Sequence, residues 1–226
     1  MNSGYIIKEL KLTSDNLKPA IITFNKGLNV ITGPSDCGKS YIFQCINYML
    51  GASTPPKSIK ESKDYTTLFL EISDSDNNSY TFKSGLKGGD FMLFRKKIID
   101  ISENDQFEVL KRKHDPNNDN NISAFLLKLN NLYQKKIRTN AQGKTRYLSY
   151  RDINKFLMIN EESIIKQDSV IESHYTKRTE ESNVFKLLTL GIDDSTVIKL
   201  LDKNQIHNRK GKVELLESFI REKIMN

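Results

Sequence analysis

Residues 33–40 combine the residue types and the spacing of a loop that binds phosphate groups. They read GPSDCGKS, which matches the pattern G-x-x-x-x-G-K-[ST]. The glycines let the backbone turn tightly and bring its N–H groups close to phosphate oxygens, because no Cβ stands in the way. Lys39 would reach the terminal phosphates of a nucleotide, and the Ser40 hydroxyl would bind Mg²⁺. We therefore predict an ATP and Mg site formed by Gly33, Pro34, Ser35, Asp36, Cys37, Gly38, Lys39, Ser40 and Tyr41.

The elements on either side of this loop are those that its mechanism requires. The apolar run LNVIT at 28–32 predicts a strand before the loop. After the loop, apolar residues recur at helical spacing: Ile42, Cys45, Ile46, Met49 and Leu50. Gly51 marks the C-terminal end of that helix, whose dipole would direct its positive end at the phosphates. This context favours a nucleotide site over a glycine-rich turn without a ligand.

The remaining segments alternate between strand and helix patterns. YIIKELKL and AIITF, before the loop, predict two strands. In the β-rich region 65–110, TTLFLEI, SYTFKS and FMLF have the period of antiparallel strands, and DSDNN reads as a turn. In the helical region 122–191, three patterns predict helices: ISAFLLKLNNLY, a segment opened by a Ser149-x-x-Asp152 capping box, and a segment with Val184, Leu187 and Leu188 that ends near Gly191.

These elements predict an α/β protein, a P-loop NTPase with a mixed sheet around the phosphate loop. An antiparallel β region and a helical region follow, and we assign all of them to one lobe at 1–194. Residues 195–226 are charged and compatible with a helix. Val213, Leu216 and Ile220 fit a short heptad seam, so this segment predicts a helix leading into a coiled coil.

Length and composition restrict the classes of protein to which the chain can belong. At 226 residues it can form a real core as one large or two small domains. No apolar run approaches the roughly 20 residues that cross a bilayer, and the N-terminus lacks the apolar stretch of a secretory signal. Cys37 and Cys45 lie too close in sequence to suggest a disulfide framework or a metal site. We expect a cytoplasmic protein with no membrane partner and two reduced thiols.

Lysine and arginine outnumber aspartate and glutamate by 35 to 28, and the formal net charge of +7 suggests an anionic partner. The basic residues crowd into the middle third of the chain, between Arg95 and Arg146. Two interpretations stay open, namely solvated loops and helix faces, or a DNA surface that follows phosphates without reading sequence. The candidate DNA-binding residues are Arg95, Lys96, Lys97, Lys111, Arg112, Lys113, Lys135 and Lys136.

Hydrolysis requires more than a phosphate loop, because P-loop ATPases also place an acidic residue at the end of a second apolar strand. Asp100 follows only two isoleucines, which is short for a buried strand. Asp193 and Asp194 follow a longer run, but Gly191 interrupts it and its apolar residues have helical period. We interpret that segment as a helix C-terminus. With no LSGG-type signature either, the chain carries half of an ATPase site, and we expect little or no hydrolysis by it alone.

The stretch FNKGLNVITGPSDCGKSYIFQCINYMLG resembles the N-terminal segment of the SMC, RecN and zinc-hook repair ATPases. The middle region, LSYRDINKFLMINEESII followed by TEESNVFKLLTLGIDDS, is similar to a bacterial subgroup linked to DNA repair or anti-phage defence. The resemblance implies the N-terminal lobe of an ABC-type head, which a C-terminal half completes with the signature and Walker B motifs. It also implies head-to-head dimerisation and DNA binding coupled to Mg-ATP.

The same resemblance bears on the metal site. Relatives carry a Q-loop glutamine that touches Mg²⁺ and senses the γ-phosphate, and this sequence offers Glu161 there, with Gln167 as the alternative. Glu161 could be an acid close to the metal or a solvated residue at a helix end. Two other functions stay open: a self-contained P-loop kinase of small molecules and a nucleotide-sensing scaffold without hydrolysis. The β-rich region directly after the first helix argues against the kinase.

Overall fold

The computed structural model of the chain describes residues 3–165, 178–198 and 203–224. The chain forms two compact units. The first unit holds the residues up to 134 together with 148–165. The second holds 135–147 together with the described residues from 178 onward.

The first unit combines strands and helices in its described part. Its strands are β1 (Tyr5–Thr13), β2 (Ala20–Thr23), β3 (Thr67–Asp74), β4 (Ser79–Gly85), β5 (Gly88–Phe94) and β6 (Glu108–Leu110). Its helices are α1 (Lys39–Met49), α2 (Ile122–Leu129), α3 (Tyr150–Leu157) and α4 (Glu161–Ile165). Short 3₁₀ turns lie at Lys60–Ser62 and Ile98–Asp100.

The six strands form one sheet in the order β2-β1-β3-β4-β5-β6, and each neighbouring pair is antiparallel. In β3, Leu68, Leu70 and Ile72 alternate with other residues and are fully buried on one face. Asp74 closes the turn to β4, because its carboxylate accepts hydrogen bonds from the N–H groups of Asp76 and Asn78. The three strands predicted in the β-rich region and the DSDNN turn are confirmed.

Helix α1 packs on this sheet through its C-terminal half. Cys45, Tyr48 and Met49 are buried, and the Tyr48 hydroxyl donates a hydrogen bond of 3.2 Å to the carbonyl of Gly85. Helices α2 and α3 pack on each other, and the backbone N–H of Tyr150 donates to the Ser123 hydroxyl. The core therefore holds the far end of α1, while its N-terminal end lies at the surface.

The sequence signals for helix ends are confirmed. Ser149 and Asp152 form the capping box at the start of α3. Helix α1 ends at Met49, and Gly51 adopts φ of +91°, a left-handed conformation that glycine takes without strain. In the second unit, Gly191 adopts φ of +70° directly after α5 (Arg178–Leu190).

The described part of the second unit pairs strands β7 (Lys136–Arg138) and β8 (Thr145–Tyr147) as a hairpin against which α5 packs. Asp194 is buried and ties β7 to the segment after α5. Its carboxylate accepts from the N–H of Arg138 at 2.8 Å and from Lys186 Nζ at 3.1 Å, and its own N–H donates to the carbonyl of Lys136. Asp194 is thus a structural residue after a helix, as the helical interpretation of this segment predicts.

Helix α6 (Lys203–Ile224) agrees with the helical pattern of the C-terminal segment. Its apolar residues Val213, Leu216 and Ile220 are all exposed. The coiled coil in which they would pack stays a prediction. Among the helices that the structure describes, none combines the length and the apolar character that a membrane span requires.

Two sequence predictions about the sheet are wrong. Residues 28–32 form no strand, and Leu28 and Val30 are 91% and 71% exposed. A strand exists only when its backbone groups pair with a neighbour, and no other described strand lies beside this segment. For the same reason the sheet is not mixed: without a paired strand at 28–32, all pairings between the named strands are antiparallel.

Candidate nucleotide-binding site

The nine residues predicted to bind nucleotide form one continuous surface feature between the unpaired segment 28–32 and the first turn of α1. Asp36 adopts φ of 62° and Gly38 adopts φ of 88°, so the loop turns twice through the left-handed region. Gly38 is the N-cap of α1, and its carbonyl accepts the first helical hydrogen bond from Ile42. The glycine at this position is needed because a Cβ would strain the turn into the helix.

Gly33 is required by a close approach within the loop. A Cβ at this position would lie 2.7 Å from the sulfur of Cys37, a distance that real Cβ atoms do not show. The Cys37 side chain therefore folds back over Gly33 and closes the loop on itself. This contact leaves no room for a side chain at residue 33.

Lys39 lies across the mouth of the loop. Its Nζ donates to the carbonyls of Gly33 and Pro34 at 2.8 and 2.5 Å and lies 3.5 Å from the sulfur of Cys37. No carboxylate among the described residues forms an ion pair with it. A positive charge held only by neutral groups at the surface is a suitable partner for an incoming phosphate.

The start of α1 adds a second attraction for anions. The helix has no side-chain cap at Gly38 and no acidic residue in its first turn. Its first N–H groups are therefore not occupied by a capping side chain, and the positive end of the dipole is not neutralised locally. Ser40 lies exposed in this turn. Loop, Lys39 and helix start together form the geometry that binds phosphates at a helix N-terminus.

A cavity of about 200 Å³ opens beside the loop and extends the site in an apolar direction. Its walls are mostly apolar, and the Tyr41 ring is half-buried there. Burial of this ring raises the pKa of the Tyr41 phenol. The lining includes Leu10, Leu12, Ile22, Cys37, Gly38, Tyr41, Ile42, Ile59 and Tyr65. The sequence does not indicate six of these residues as part of the site: Leu10, Leu12, Ile22, Ile42, Ile59 and Tyr65. The alternation in β1 is the one sequence signal among them, because it places Leu10 and Leu12 on the same face of the strand.

The predicted metal ligands are only partly defined. Glu161 is the exposed first residue of α4, and Asn160 precedes it and accepts a hydrogen bond from the N–H of Ser163. Gln167, the alternative, lies outside the described residues. Within the described part of the chain, no group of three or more histidine, cysteine, aspartate or glutamate residues could bind a metal ion. Mg²⁺ binding through Ser40 and Glu161 stays a prediction, one consistent with a cation held mainly by nucleotide phosphates.

The acids considered for hydrolysis do not follow strands. Asp100 is exposed at the end of the 3₁₀ turn Ile98–Asp100. Asp193 accepts a hydrogen bond from the hydroxyl of Ser195, and Asp194 accepts one from the N–H of Arg138 within the second unit. None of these three acids therefore lies at the end of a strand, where P-loop ATPases place the acid that assists hydrolysis.

Several of the basic residues proposed to contact DNA already have acidic partners. Arg95 pairs with Glu108 at 2.6 Å and Lys96 with Asp105 at 2.8 Å, and Lys111 pairs with Asp90 at 2.8 Å. These pairs are at least partly exposed, so they contribute little stability and are open to competition from phosphates.

Four further candidates have no such partner among the described residues. Lys97 and Lys113 are exposed and form no ion pair with another described residue. Lys135 is half-buried in the second unit, and no described carboxylate pairs with it either. Lys136 also lies in that unit, 5.1 Å from the centre of the Tyr147 ring.

Arg112 does not fit a surface that follows phosphates, because its guanidinium is used inside the first unit. It donates to the carbonyls of Gly89, Tyr48 and Ala52 at 2.9 to 3.0 Å and to the hydroxyl of Ser84 at 2.8 Å. It also lies 3.9 Å and 4.2 Å from the ring centres of Tyr48 and Phe91. Burial lowers the pKa of this guanidinium. Arg112 therefore connects the end of α1 to the sheet.

Comparison with known proteins gives two findings. A family model described as an AAA domain matches residues 15–224. The DNA repair protein RecN of Rickettsia typhi is 46% identical over 55 residues, and RecN of Rickettsia conorii is 44% identical over 52 residues. These matches cover 24% and 23% of this chain and 10% of each relative. The chain therefore aligns with about a tenth of the length of these curated relatives.

Proposed function

Because the chain belongs to the AAA domain family, a family of SMC-like P-loop ATPases, and shares a segment with the DNA repair protein RecN, we propose that it forms the ATP-binding N-terminal lobe of an ABC-type head. The observation that carries this proposal is the strand-free loop at 33–38 leading into α1, with Lys39 across its mouth and an uncapped helix start behind it. The role that we propose is in cytoplasmic DNA repair or anti-phage defence. RecN is named as a DNA repair protein, and this chain is 46% identical to it over 55 residues.

ATP would bind with its phosphates in the loop and its base toward the apolar cavity beside Tyr41. The terminal phosphates would replace the carbonyls of Gly33 and Pro34 as partners of Lys39. The charged ammonium of Lys39 would then donate to a charged acceptor, which makes a stronger hydrogen bond. The Ser40 hydroxyl would complete the coordination of Mg²⁺, with Glu161 as the candidate acid close to it. In this arrangement the protein supplies mainly position and charge, which is what phosphoryl chemistry requires.

Calorimetric titration of Mg-ATP tests the binding site. The substitution Lys39→Ala removes a charge-assisted contact of about 1.5 to 3 kcal/mol, so the affinity should fall roughly ten- to a hundredfold. Lys87→Ala is the matched control, because Lys87 is an exposed lysine on the turn between β4 and β5. Equal affinity of Lys39→Ala and wild type would show that the loop does not hold the nucleotide.

The exposed segment 28–32 supports the proposal that a second half completes the head. Leu28, Val30 and Ile31 are apolar and solvent-exposed, although the sequence has the pattern of a buried strand. A strand from the C-terminal half of the head, in cis or in trans, would pair with this segment and bury it. That strand would carry the missing acid, and an opposing head would bring the signature loop to the γ-phosphate. Helix α6, with its exposed Val213, Leu216 and Ile220, would be the root of the coiled coil.

A steady-state ATPase assay tests this completion. The chain alone should turn over ATP near background, because the loss of each transition-state group costs about 10² to 10³ in rate. Addition of the C-terminal half should restore activity, and Val30→Asp should prevent that restoration. The control Ile99→Asp places the same charge at a side chain that is 87% exposed in a 3₁₀ turn. Robust turnover by the isolated chain, lost in Lys39→Ala, would instead favour a self-contained enzyme such as a small-molecule kinase. No activity even with the second half would favour a nucleotide-sensing scaffold.

DNA binding would use the basic residues that remain available in each unit, chiefly Lys97 and Lys113 in the first and Lys135 and Lys136 in the second. Each phosphate contact releases counterions, so log K should fall with log salt at a slope of about −0.9 per contact. In anisotropy titrations with duplex DNA, Lys97→Glu and Lys135→Glu should each flatten the slope by about one. Lys128→Glu, at a lysine outside these clusters that pairs with Asp119, should not. Failure of duplex DNA to bind at low salt, with and without ATP, would leave the clusters as solvated faces.

A further inference from the structure

A second cavity of the first unit lies away from the phosphate loop. It has a volume of about 780 Å³ and opens at the C-terminal end of α1, where Asn47 and Leu50 form part of its wall. The loop lies at the opposite end of this helix, which at 11 residues is about 16 Å long. The cavity therefore cannot be the phosphate pocket of the nucleotide site.

Arg151 contributes a positive charge to this cavity. The residue is half-buried, and its only hydrogen bond within the described structure runs from Nη1 to Oδ1 of Asn47 at 2.8 Å. No carboxylate of the described residues forms an ion pair with it. Burial lowers the pKa of the guanidinium. A guanidinium has five N–H donors, and a partly buried cation without a counter-ion is costly to maintain, so most of its donors are available to a ligand.

The rest of the lining keeps the cavity positive. Lys113 stands at its rim, exposed and without a described ion-pair partner. Asp90 is the only carboxylate in the lining, and it is already occupied by Lys111 Nζ at 2.8 Å and by the N–H of Arg112 at 3.1 Å. Arg112 itself is committed to the end of α1. The two cations that remain for a ligand are Arg151 and Lys113.

The geometry points to a second ligand site, in which Arg151 and Lys113 bind the phosphate of a small organic phosphate about the size of a nucleotide. A guanidinium can donate to two phosphate oxygens at once, and an ammonium adds a point charge. Leu50, Ile122 and Tyr150 supply an apolar and aromatic wall for the organic part. The volume lies in the range of small-molecule sites. A DNA backbone would be bound by exposed cations. Arg151 is instead half-buried in the wall of the cavity, which favours a compact ligand.

Calorimetric titration with AMP, and separately with inorganic phosphate, tests the site on the full chain. AMP has only one phosphate, so it engages the phosphate loop poorly and reports on the second site. Arg151→Gln keeps a donor for Asn47 but removes the charge, and it should weaken AMP binding at least tenfold. Lys113→Gln should weaken it several-fold without touching the core. Lys87→Gln removes the same charge elsewhere and should leave the affinity unchanged.

The outcome separates this proposal from the ATP-binding proposal. Binding of AMP that persists in Lys39→Ala and is lost in Arg151→Gln supports the second site, even if ATP fails to bind the loop. Binding lost in Lys39→Ala but kept in Arg151→Gln would place AMP at the loop and overturn the proposal. The proposal would also be overturned if neither AMP nor phosphate bound at millimolar concentration. It would be overturned as well if a short DNA duplex bound in a way that depended on Arg151 while AMP did not bind. Thermal unfolding of Arg151→Gln should match or exceed the wild-type midpoint, which excludes misfolding as the cause of lost binding.

Discussion

The substitution Arg112→Ala should destabilise the first unit by about 3 to 5 kcal/mol, although Arg112 lies between two exposed lysines in the sequence. Its guanidinium makes four hydrogen bonds, three of them to backbone carbonyls, and contacts the rings of Tyr48 and Phe91. Each hydrogen bond from a charged donor contributes about 1.5 to 3 kcal/mol, and each ring contact about 0.5 to 1. The contributions do not add in full, because water can reach part of the site and hydrate the carbonyls that lose their donor.

Urea unfolding followed by far-UV circular dichroism measures this loss. The midpoint of thermal unfolding should fall by roughly 10 °C for a unit of this size. Arg112→Lys should recover little, because an ammonium has three donors and no plane to stack on the rings. Lys113→Ala, at the exposed neighbour, should stay within about 0.5 kcal/mol of wild type. A loss below about 1 kcal/mol for Arg112→Ala, together with weaker DNA binding, would refute the structural role and return Arg112 to the DNA surface.

Three further predictions follow from the loop and the sheet. Iodoacetamide should alkylate the exposed Cys37 and not Cys45, since burial raises the pKa of the Cys45 thiol to about 12, and Mg-ATP should protect Cys37 in a mass-spectrometric time course. Gly33→Ala should weaken ATP binding through the clash with Cys37, and adding Cys37→Gly should recover part of it in calorimetry; purely additive effects would contradict the contact. The Lys111 ammonium lowers the pKa of Asp90, so this carboxylate stabilises the fold above its unfolded-state pKa, and that stability is lost as pH falls through the lower folded pKa. Asp90→Asn should therefore flatten the acid limb of a plot of unfolding midpoint against pH, and an unchanged limb would refute the linkage.

Structural features that depend on residues close together in the chain could be predicted from the sequence. The alternation in β3, the Asp74 turn and the capping box at Ser149 each involve residues within a few positions of one another, and each formed as predicted. The start of α1 and its end before Gly51 follow from the same kind of local signal. Local hydrogen bonding and steric preference decide these features, so a single sequence contains the information for them.

Structural features that depend on residues far apart in the chain could not be predicted in this way. The segment 28–32 has a strand pattern, but pairing depends on a neighbour that the described chain does not place beside it. Nothing in the run of lysines around Arg112 shows which side chain turns inward, because its carbonyl partner on Tyr48 is 64 positions away. The cavity likewise depends on Arg151 meeting Asn47 across 104 positions. The candidate phosphate loop could be identified in the sequence because its residues are contiguous, whereas the second cavity is assembled from distant segments.

The attachment of α1 has a mechanical consequence. Arg112 binds the carbonyls of Tyr48 and Ala52, and the side-chain oxygen of Asn47 accepts hydrogen bonds from both Arg151 and Asn154. These hydrogen bonds hold the C-terminal end of α1 in place, whereas the phosphate loop lies at the exposed N-terminal end of the helix. Nucleotide binding should therefore rigidify the loop and the first turn of α1 without shifting the position of the helix. In hydrogen-exchange terms, we expect ATP to slow amide exchange at 33–42 and to leave the amides around Tyr48 as slow as before.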